Sequence, residues 1–404
     1  MVARSARSPL PAPVRSEGPA EFAMTRKEGL RLEYLDGLRA LASLYVVLFH
    51  AALGFSSGLL PGWVRTVRRC LCYGHDAVAI FIVLSGYCLM LPVARAEGQI
   101  TRGVPSYFAR RAWRILPPYF ATLFGTLLLL ALVPALETPT KTIWDDTSPA
   151  FGFGPITSHV LLIHNLFPRW VHTINGPLWS VATEWQIYFF FPFFLLPIWR
   201  RFGALAAVLA GFVFGCSWIW LAPKTADAAA TWYLGLFALG MAAAGIGFVS
   251  RPLERALRER APWGLISLCL LAVVAAGTTV FVKTWFSHMP ASDALMGVTT
   301  AACLVYLTRR ALSSAPKPLS LRILESAPLV FVGRFSYSLY LTHLPLIAVC
   351  YFGLRRYALS ETTEWLALSA LSLPLSLPFA YAFFWIFERR FVGAPPALFS
   401  RRAG

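Results

Sequence analysis

Ten blocks of predominantly apolar residues, each long enough to cross a bilayer as a helix, divide this sequence. Hydrophobic residues make up 57% of the 404 residues and charged residues only 14%, whereas a soluble chain is usually about a quarter charged. The pattern predicts an all-α fold, a polytopic membrane helical bundle with about ten transmembrane helices. The predicted spans cover residues 35–55, 77–94, 115–136, 177–198, 203–222, 231–249, 263–282, 291–308, 327–353 and 365–387.

Polar segments flank the apolar blocks at both ends of the chain. Residues 1–33 are rich in Arg, Ser and Pro and lack the apolar core of a secretory signal peptide. We interpret them as a disordered cytoplasmic leader, with a transit peptide as the alternative. Residues 34–390 form the predicted membrane domain, and residues 391–404 form a short cytoplasmic tail.

The basic residues predict how the helices are oriented. The formal net charge is +17, and the Lys and Arg residues cluster between the apolar blocks. This placement is typical of topology determinants rather than of a nucleic-acid-binding surface. With the N-terminus inside, the inside segments carry 25 Lys and Arg residues and the outside loops carry nine. We therefore expect a multi-pass protein of the cell inner (plasma) membrane, with both termini cytoplasmic and no nucleic acid partner.

The first span carries two ionisable side chains that are costly inside a membrane. Arg39 and His50 are eleven residues apart, which returns them to within about 20° of each other on a helix and separates them by about 16 Å along its axis. A cation and an imidazole on one stripe of a membrane helix indicate a functional site. Asp36 lies three residues before Arg39, and its expected role is to pair with that arginine or to cap the helix.

Six ionisable residues lie in the first, fourth and ninth spans, so we expect these three spans to face one another. His50, Glu184 and His343 are at depths of about 8, 10 and 15 Å below the outer ends of their spans. A histidine with a carboxylate is a common general-base arrangement, which favours a catalytic cluster in the outer half of the membrane. The alternative is a buried polar cluster that only holds the helices together. The six residues are Asp36, Arg39, His50, Glu184, Arg334 and His343.

Helical spacing predicts which neighbours share a face with these groups. Ser336, Tyr340 and His343 share one face of the ninth span, and Ser180, Glu184 and Tyr188 share one face of the fourth. On a straight helix Arg334 and His343 point in opposite directions, so one of the two is expected to face the lipid headgroups instead of the site.

A cluster of arginines precedes the third span. Arg110, Arg111 and Arg114 lie within about one helical turn, just before Pro117. Arginines at a helix start beside a membrane pocket suit a phosphorylated ligand, and the alternative is an ordinary positive-inside anchor. The long outside loop 137–176 is aromatic-rich, so we expect it either to cover a substrate site or to anchor the chain at the interface.

Five segments in order resemble the acyltransferase 3 family of integral-membrane O-acyltransferases. The first-helix signature of that family has Arg or Lys, ten residues and then His, as in LDGLRALASLYVVLFH, residues 35–50. The other four are IFIVLSGYCL (Ile80–Leu89), RAWR (Arg111–Arg114), GPLWSVATEWQIYFFFP (Gly176–Pro192) and GRFSYSLYLTHLP (Gly333–Pro345). Two positions depart from the family pattern, with Tyr87 in place of Phe and Thr342 in place of Trp.

This resemblance implies transfer of an acyl group, usually acetyl, from cytoplasmic acyl-CoA to a hydroxyl of a glycan or lipid-linked sugar acceptor. It implies that His50 is catalytic, that Arg39 is its motif partner, and that Glu184 holds the acidic position of the fourth helix. Arg111 and Arg114, with Arg110 beside them, fall on the positions implied in activity or donor binding. The pocket assigned on these grounds comprises Asp36, Ser85, Trp179, Tyr188, Ser336, Tyr340 and His343.

The resulting hypothesis is acyl transfer in a membrane pocket, with acyl-CoA as co-substrate, no bound cofactor and no metal. The phosphates of CoA bind the arginines, His50 acts as general base, and Glu184 orients it. A transient acyl-histidine is the alternative to direct transfer. The rival function is a multispan transporter or exporter of a sugar or lipid-linked glycan, because intramembrane Arg, His and Glu also serve transport. Internal repeats that relate the two halves of the chain would favour transport, and we find no such repeats in the sequence.

Overall fold

The computed structural model describes residues 31–53, 60–138, 143–280 and 289–393. Within these ranges the regular elements are all helical, and the structure is 82% helical. The predicted all-α fold is therefore confirmed. Nearly all of the leader 1–33 and of the tail 391–404 lies outside the described residues, so these two assignments stay predictions.

The described chain forms seventeen α-helices. In order they are α1 (Glu33–Leu53), α2 (Gly62–Cys70), α3 (Gly74–Arg95), α4 (Gly103–Leu132), α5 (Phe153–Val160), α6 (Leu178–Phe190), α7 (Leu196–Phe202), α8 (Ala204–Leu221), α9 (Pro223–Ala229), α10 (Tyr233–Phe248), α11 (Pro252–Arg260), α12 (Trp263–Thr279), α13 (Met289–Ala311), α14 (Leu319–Leu324), α15 (Ala327–Arg334), α16 (Ser336–Leu354) and α17 (Glu361–Phe383). Single π-helical segments follow α6 and α17, at Phe191–Leu195 and Phe384–Glu388.

Eight helical segments of the described chain are long and apolar enough to cross a membrane. Two bent pairs, α9 with α10 at 44° and α11 with α12 at 78°, raise that number to as many as ten. The prediction of about ten spans agrees with this count. One prediction was wrong in detail, because the ninth span (327–353) is two helices, α15 and α16, that meet at Phe335 with φ −119° and ψ 19°.

Helix α3 is the centre of the bundle and packs against α1, α10 and α13. A Cβ at Gly86 of α3 would overlap the carbonyl group of Phe237, and a Cβ at Gly240 of α10 would overlap that of Val83. Glycine at these two positions lets the two backbones touch, which is a common way to pack membrane helices. Helix α1 lies between α3 and the pair α16–α17, so its polar stripe faces both.

The two ends of the bundle differ in their polar side chains. The first turn of α1, the last turn of α3 and the start of α4 form one end, which we call the arginine side. The last turn of α1 and the first turn of α3 form the opposite end, which we call the histidine side because it carries His50 and His75. The sequence predicts that the arginine side is cytoplasmic.

Candidate active site

A cavity of about 900 Å³ opens among α1, α3, α4, α6 and α15–α16 toward the arginine side. Its charged lining comprises six arginines and two carboxylates among the described residues: Arg31, Arg39, Arg110, Arg111, Arg114, Arg334, Asp36 and Glu184. Such an excess of guanidinium groups over carboxylates attracts anions, and planar guanidinium forks match phosphate oxygens in particular.

Two of these arginines share one carboxylate as an ion-pair partner. Arg39 lies 3.1 Å from Asp36 Oδ1 and donates a second hydrogen bond to the Sγ atom of Cys88 at 3.0 Å. Arg31 lies 3.1 Å from the other oxygen of the same Asp36 carboxylate. The expected pairing of Asp36 with Arg39 is confirmed. Because this pair is satisfied within the protein, Arg39 forms the wall of the cavity rather than its primary anion-binding group.

Two arginines of α4 make no hydrogen bond to another side chain among the described residues, although Arg114 interacts electrostatically with the buried Glu388. Arg110 donates to Ser106 Oγ at 2.5 Å on its own helix. Arg111 buries its Nε atom with no hydrogen-bond partner among the described residues, and Arg114 makes no hydrogen bond within the same part of the chain. A buried donor without a partner costs about 1–3 kcal/mol, and an anionic ligand would remove that cost. Arg111 and Arg114 are therefore the strongest anion-binding candidates.

Arg334 also lines the cavity because the helix breaks beside it. The expectation of a straight ninth span placed Arg334 and His343 on opposite faces and sent one of them toward lipid headgroups. The helix is interrupted at Phe335, so the short helix α15 does not continue α16 as one straight helix. Arg334, at the end of α15, lines the cavity. That expectation was wrong, since its physical premise of a continuous helix does not hold.

Glu184 is linked by hydrogen bonds to the hydroxyl groups of Tyr188 and, through it, Ser85. The hydroxyl of Tyr188, one turn along α6, donates to Glu184 Oε1 at 2.6 Å, and Ser85 Oγ lies 3.1 Å from the same hydroxyl. One turn in the other direction, Ser180 Oγ lies 2.6 Å from the hydroxyl of Tyr340. These contacts hold the polar faces of α3, α6 and α16 together across the cavity.

The partner of His50 is His343, and this corrects the expectation that Glu184 orients it. Nε2 of His343 lies 3.1 Å from Nδ1 of His50. No hydrogen bond or ion pair joins Glu184 to His50 among the described residues. Glu184 lies one helical turn nearer the arginine side than Ser180, whereas His343 lies about one turn nearer the histidine side than Tyr340. The first, fourth and ninth predicted spans do meet, but not at one point: α16 contacts α1 through His343 and contacts α6 through Tyr340.

The hydrogen bonds determine the tautomers of the two histidines. His343 Nδ1 lies 2.7 Å from the carbonyl oxygen of Tyr340, which only accepts, so Nδ1 carries the proton and Nε2 is an acceptor. His50 Nδ1 faces two acceptors, this Nε2 and the carbonyl oxygen of Val46 at 2.9 Å. His50 Nδ1 is thus the protonated nitrogen of the neutral ring, and its Nε2 keeps a lone pair. That lone pair makes His50 a candidate base.

Tyr340 separates the histidine pair from the cavity. Its ring lies 5.9 Å from the ring of His343, centroid to centroid, and its side chain lines the cavity on the other side. Hydrogen bonds to Ser180 and to the carbonyl oxygen of Pro177 hold the tyrosine hydroxyl. The cavity therefore comes within one aromatic ring of His343, the partner of the candidate base His50.

The predicted site residues fall into three places. Ten of them line the cavity: Asp36, Arg39, Ser85, Arg110, Arg111, Arg114, Glu184, Tyr188, Ser336 and Tyr340. His50 and His343 form the pair beyond Tyr340. Trp179 lies apart from both and stacks on His75, with ring centroids 5.8 Å apart. Apart from the orienting role of Glu184, corrected above, the roles assigned to these residues stay predictions.

The sequence reasoning missed a histidine–aspartate pair on the histidine side. His75 Nε2 lies 3.0 Å from Asp293 Oδ2, although His75 is two residues outside the second predicted span and Asp293 lies inside the eighth. A carboxylate within a predicted span is the signal that would have found this pair. Arg31 and Tyr337 are further cavity residues that the sequence did not single out.

The outside loop contains short helices and a buried imidazole stack. His159 of α5 and His164 stack with centroids 3.7 Å apart and an angle of 9°. Both side chains are buried, and the segment lies outside the candidate spans. Burial lowers the pKa of His159 to about 4 and that of His164 further below its usual range.

The low pKa of His159 predicts an acid-sensitive fold. The unfolded chain binds a proton on this ring below about pH 6.5, and the folded chain does so only below about pH 4. The stabilising contribution is therefore complete above pH 6.5 and is lost as the pH falls from 6.5 to 4. We expect the Tm in detergent to drop less between pH 7.5 and pH 5 in His159→Phe than in the wild type. An equal drop in both proteins would contradict this.

Comparison with known proteins identifies the family of the chain. A family model described as an acyltransferase domain matches residues 32–385. The chain belongs to this acyltransferase family. As a member, it is a multi-pass membrane enzyme that transfers acyl groups.

Two curated relatives are similar to this acyltransferase along most of its length. Acyltransferase MdmB of Streptomyces mycarofaciens is 27% identical over 367 residues, 86% of this chain and 87% of the relative. The putative peptidoglycan O-acetyltransferase YrhL of Bacillus subtilis (strain 168) is 26% identical over 341 residues, 78% of this chain but only 48% of the relative. No solved structure matches the chain. These names favour acyl transfer over the rival transport function.

Proposed function

We propose that this acyltransferase moves an acyl group, acetyl by default, from acyl-CoA to a hydroxyl group of a glycan or lipid-linked sugar. The observation that carries the proposal is that Tyr340, which lines the arginine-rich cavity, also lies beside His343 of the His50–His343 pair. In this arrangement the arginine side faces the cytoplasm, where acyl-CoA is made, and both termini are cytoplasmic. The enzyme lies in the cell inner (plasma) membrane.

The donor binds with its phosphates among the arginines. Arg111 and Arg114 take the phosphate oxygens, since neither is engaged by another side chain through a hydrogen bond among the described residues. Arg110 adds positive charge beside them, and Arg39 with Asp36 forms the wall. The pantetheine arm then extends toward Tyr340, and its thioester is placed within reach of the histidine pair. Charge-assisted contacts of this kind contribute about 1.5–3 kcal/mol each.

His50 carries the proton during the transfer. Its Nε2 accepts the proton of the acceptor hydroxyl as that oxygen attacks the thioester carbonyl carbon. The C–S bond then breaks, the ester remains on the acceptor, and the CoA thiolate takes the proton back from the imidazolium. His343 Nε2 accepts the Nδ1–H of His50 at 3.1 Å throughout, which orients the ring and stabilises its charged form. Atoms and charge balance without a cofactor.

The acceptor is proposed from the chemistry named for one relative. The relative from Bacillus subtilis is named as a putative O-acetyltransferase of peptidoglycan, a glycan rich in hydroxyl groups. A hydroxyl approaching from the histidine side meets the Nε2 lone pair of His50 on the face away from the arginines. A glycan or a lipid-linked sugar at the outer surface is therefore the proposed acceptor class.

Radiolabel transfer tests this function directly. Inside-out vesicles that contain the enzyme are loaded with a glycan fraction from the same cells, so that the glycan faces the histidine side. Acetyl-labelled CoA is then added outside, where it faces the arginine side. We expect label in the glycan, release of one CoA thiol for each acetyl group, and loss of the label under mild base, as an ester requires. Uptake of sugar into sealed proteoliposomes with no CoA release and no ester would overturn the proposal in favour of transport.

A further inference from the structure

A carboxylate–histidine pair lies on the histidine side, in addition to the His50–His343 pair. His75 in the first turn of α3 lies 3.0 Å from Asp293 Oδ2 in the first turns of α13, and Trp232 Nε1 donates to the same oxygen at 2.8 Å. The Asp293 side chain is 1% exposed and that of His75 is 23% exposed. A buried carboxylate thus stands behind an imidazole that is partly exposed at the surface of the chain.

The carboxylate determines which nitrogen of His75 is available. A carboxylate only accepts, so Nε2 of His75 carries the proton and donates to Asp293. Nδ1 then keeps the lone pair, and it has no hydrogen-bond partner within the described ranges. Asp293 Oδ1 is buried and is likewise unpartnered among the described residues. Two acceptor atoms of one pair are therefore unused by the fold itself.

Aromatic rings surround His75. The Trp179 ring stacks nearly parallel to His75 at 5.8 Å and 11°, and the Tyr233 ring lies 5.7 Å from His75 and 6.0 Å from Trp179. The Tyr233 hydroxyl lies 3.0 Å from His75 Nε2. An aromatic face beside hydrogen-bond acceptors is the combination that a sugar ring needs, because its C–H face is apolar and its rim is hydroxylated.

This second site lies at the same end of the bundle as the candidate base. The ring of Phe49 occupies the space that a Cβ of Gly74 would take, and the same ring lies edge-on to His50 at 4.8 Å. Gly74 and Phe49 are therefore in contact, and they directly precede His75 and His50, respectively. Both histidines belong to the histidine side, and each has an unprotonated ring nitrogen.

We propose that His75, Asp293 and Trp179 form the acceptor subsite, in which a sugar ring packs against Trp179 and one of its hydroxyl groups donates to His75 Nδ1. The inference rests on the proposed function and assigns the acceptor end of that reaction. His75 is a positioning residue here, because the transferred proton goes to His50. A purely structural ion pair would account for the contact between α3 and α13, but not for the stacked Trp179 beside an unused Nδ1.

Ligand-observed NMR tests sugar binding without any turnover. Saturation-transfer spectra are recorded on the full chain in nanodiscs with three methyl glycosides: a hexoside, a 6-deoxyhexoside and an N-acetylhexosaminide. We expect at least one to bind, and to bind about 5- to 10-fold more weakly to His75→Phe, Asp293→Asn and Trp179→Leu, as loss of a hydrogen bond or a stacking face predicts. The matched controls Asp227→Asn and Trp220→Phe alter exposed residues and should leave binding unchanged.

Binding of acetyl-CoA to the arginine-lined cavity checks that each variant is folded. None of the three variants changes a cavity residue, so each should bind acetyl-CoA as the wild type does. Sugar binding that is equal in wild type and all three variants, or no binding of any glycoside to the wild type, overturns the subsite. Failure of the proposed function is a different result, since glycoside binding would then persist without any ester being formed from acetyl-CoA.

Discussion

Replacing His50 with alanine is expected to lower kcat about 1,000-fold, because a positioned general base contributes about 10²–10⁴ to the rate. The KM for acetyl-CoA should change less than about twofold, since removal of a group that acts only in the transition state leaves ground-state binding intact. His50 does not line the donor cavity, which is the structural reason for this separation. Initial rates of CoA thiol release at saturating acceptor measure both constants.

The variants of His343 sharpen this prediction. His343→Ala removes the acceptor for His50 Nδ1–H and should lower kcat about 10- to 100-fold, as loss of an orienting partner does. His343→Gln retains an oxygen that accepts this hydrogen bond, so it should recover much of the lost rate. Wild-type kcat in His50→Ala would refute the general-base role. Equal losses in His343→Ala and His343→Gln would show that packing, rather than the hydrogen bond, supports His50.

Local periodicity carried enough information to place most of the cavity. Arg39 and His50 share one stripe of α1, and the spacing of Arg111 and Arg114 on α4 turns both into the cavity, as helical geometry requires. The same spacing within α6 aligned Ser180, Glu184 and Tyr188. These results needed only the pitch of a helix and the cost of polar groups in a membrane.

The partner of His50 could not be obtained in this way. The depth estimate for Glu184 assumed that its span begins at the membrane boundary. In the structure, the side-chain Nδ2 of Asn175 donates to the carbonyl oxygen of Leu341, so the chain before α6 already lies level with the second turn of α16. Counting seven residues from that start therefore places Glu184 beyond Tyr340, toward the arginine side. Membrane depth read from a sequence fails where a helix begins inside the bundle.

Contacts between distant segments were also beyond local reasoning. His75 and Asp293 are 218 residues apart. The carboxylate inside the eighth predicted span marks Asp293 as unusual, but no local pattern connects it with His75. The break at Phe335 that turns Arg334 into the cavity has no proline or glycine at the break itself. It depends on the packing of α15 against α1, which no local pattern encodes.

Replacing Arg111 with alanine is expected to raise the KM for acetyl-CoA about 10- to 100-fold, because a charge-assisted hydrogen bond contributes about 1.5–3 kcal/mol. Arg114→Ala should have a similar effect, and kcat at saturating donor should stay within about twofold. Acetyl-pantetheine lacks the nucleotide and its phosphates. Its KM, measured by the same release of thiol, should therefore be unchanged by either substitution.

The two donors together separate anion binding from general damage to the cavity. Arg201→Ala is the matched control, since this arginine is exposed on α7 and does not line the cavity, and its KM for both donors should equal that of the wild type. Arg111→Lys retains the charge but loses the planar fork, so an intermediate KM for acetyl-CoA is expected. An equal rise in KM for acetyl-CoA and acetyl-pantetheine would mean that Arg111 shapes the cavity without touching a phosphate. A selective rise for acetyl-CoA places the phosphates at the start of α4, so that the thioester must point toward Tyr340 and the histidine pair.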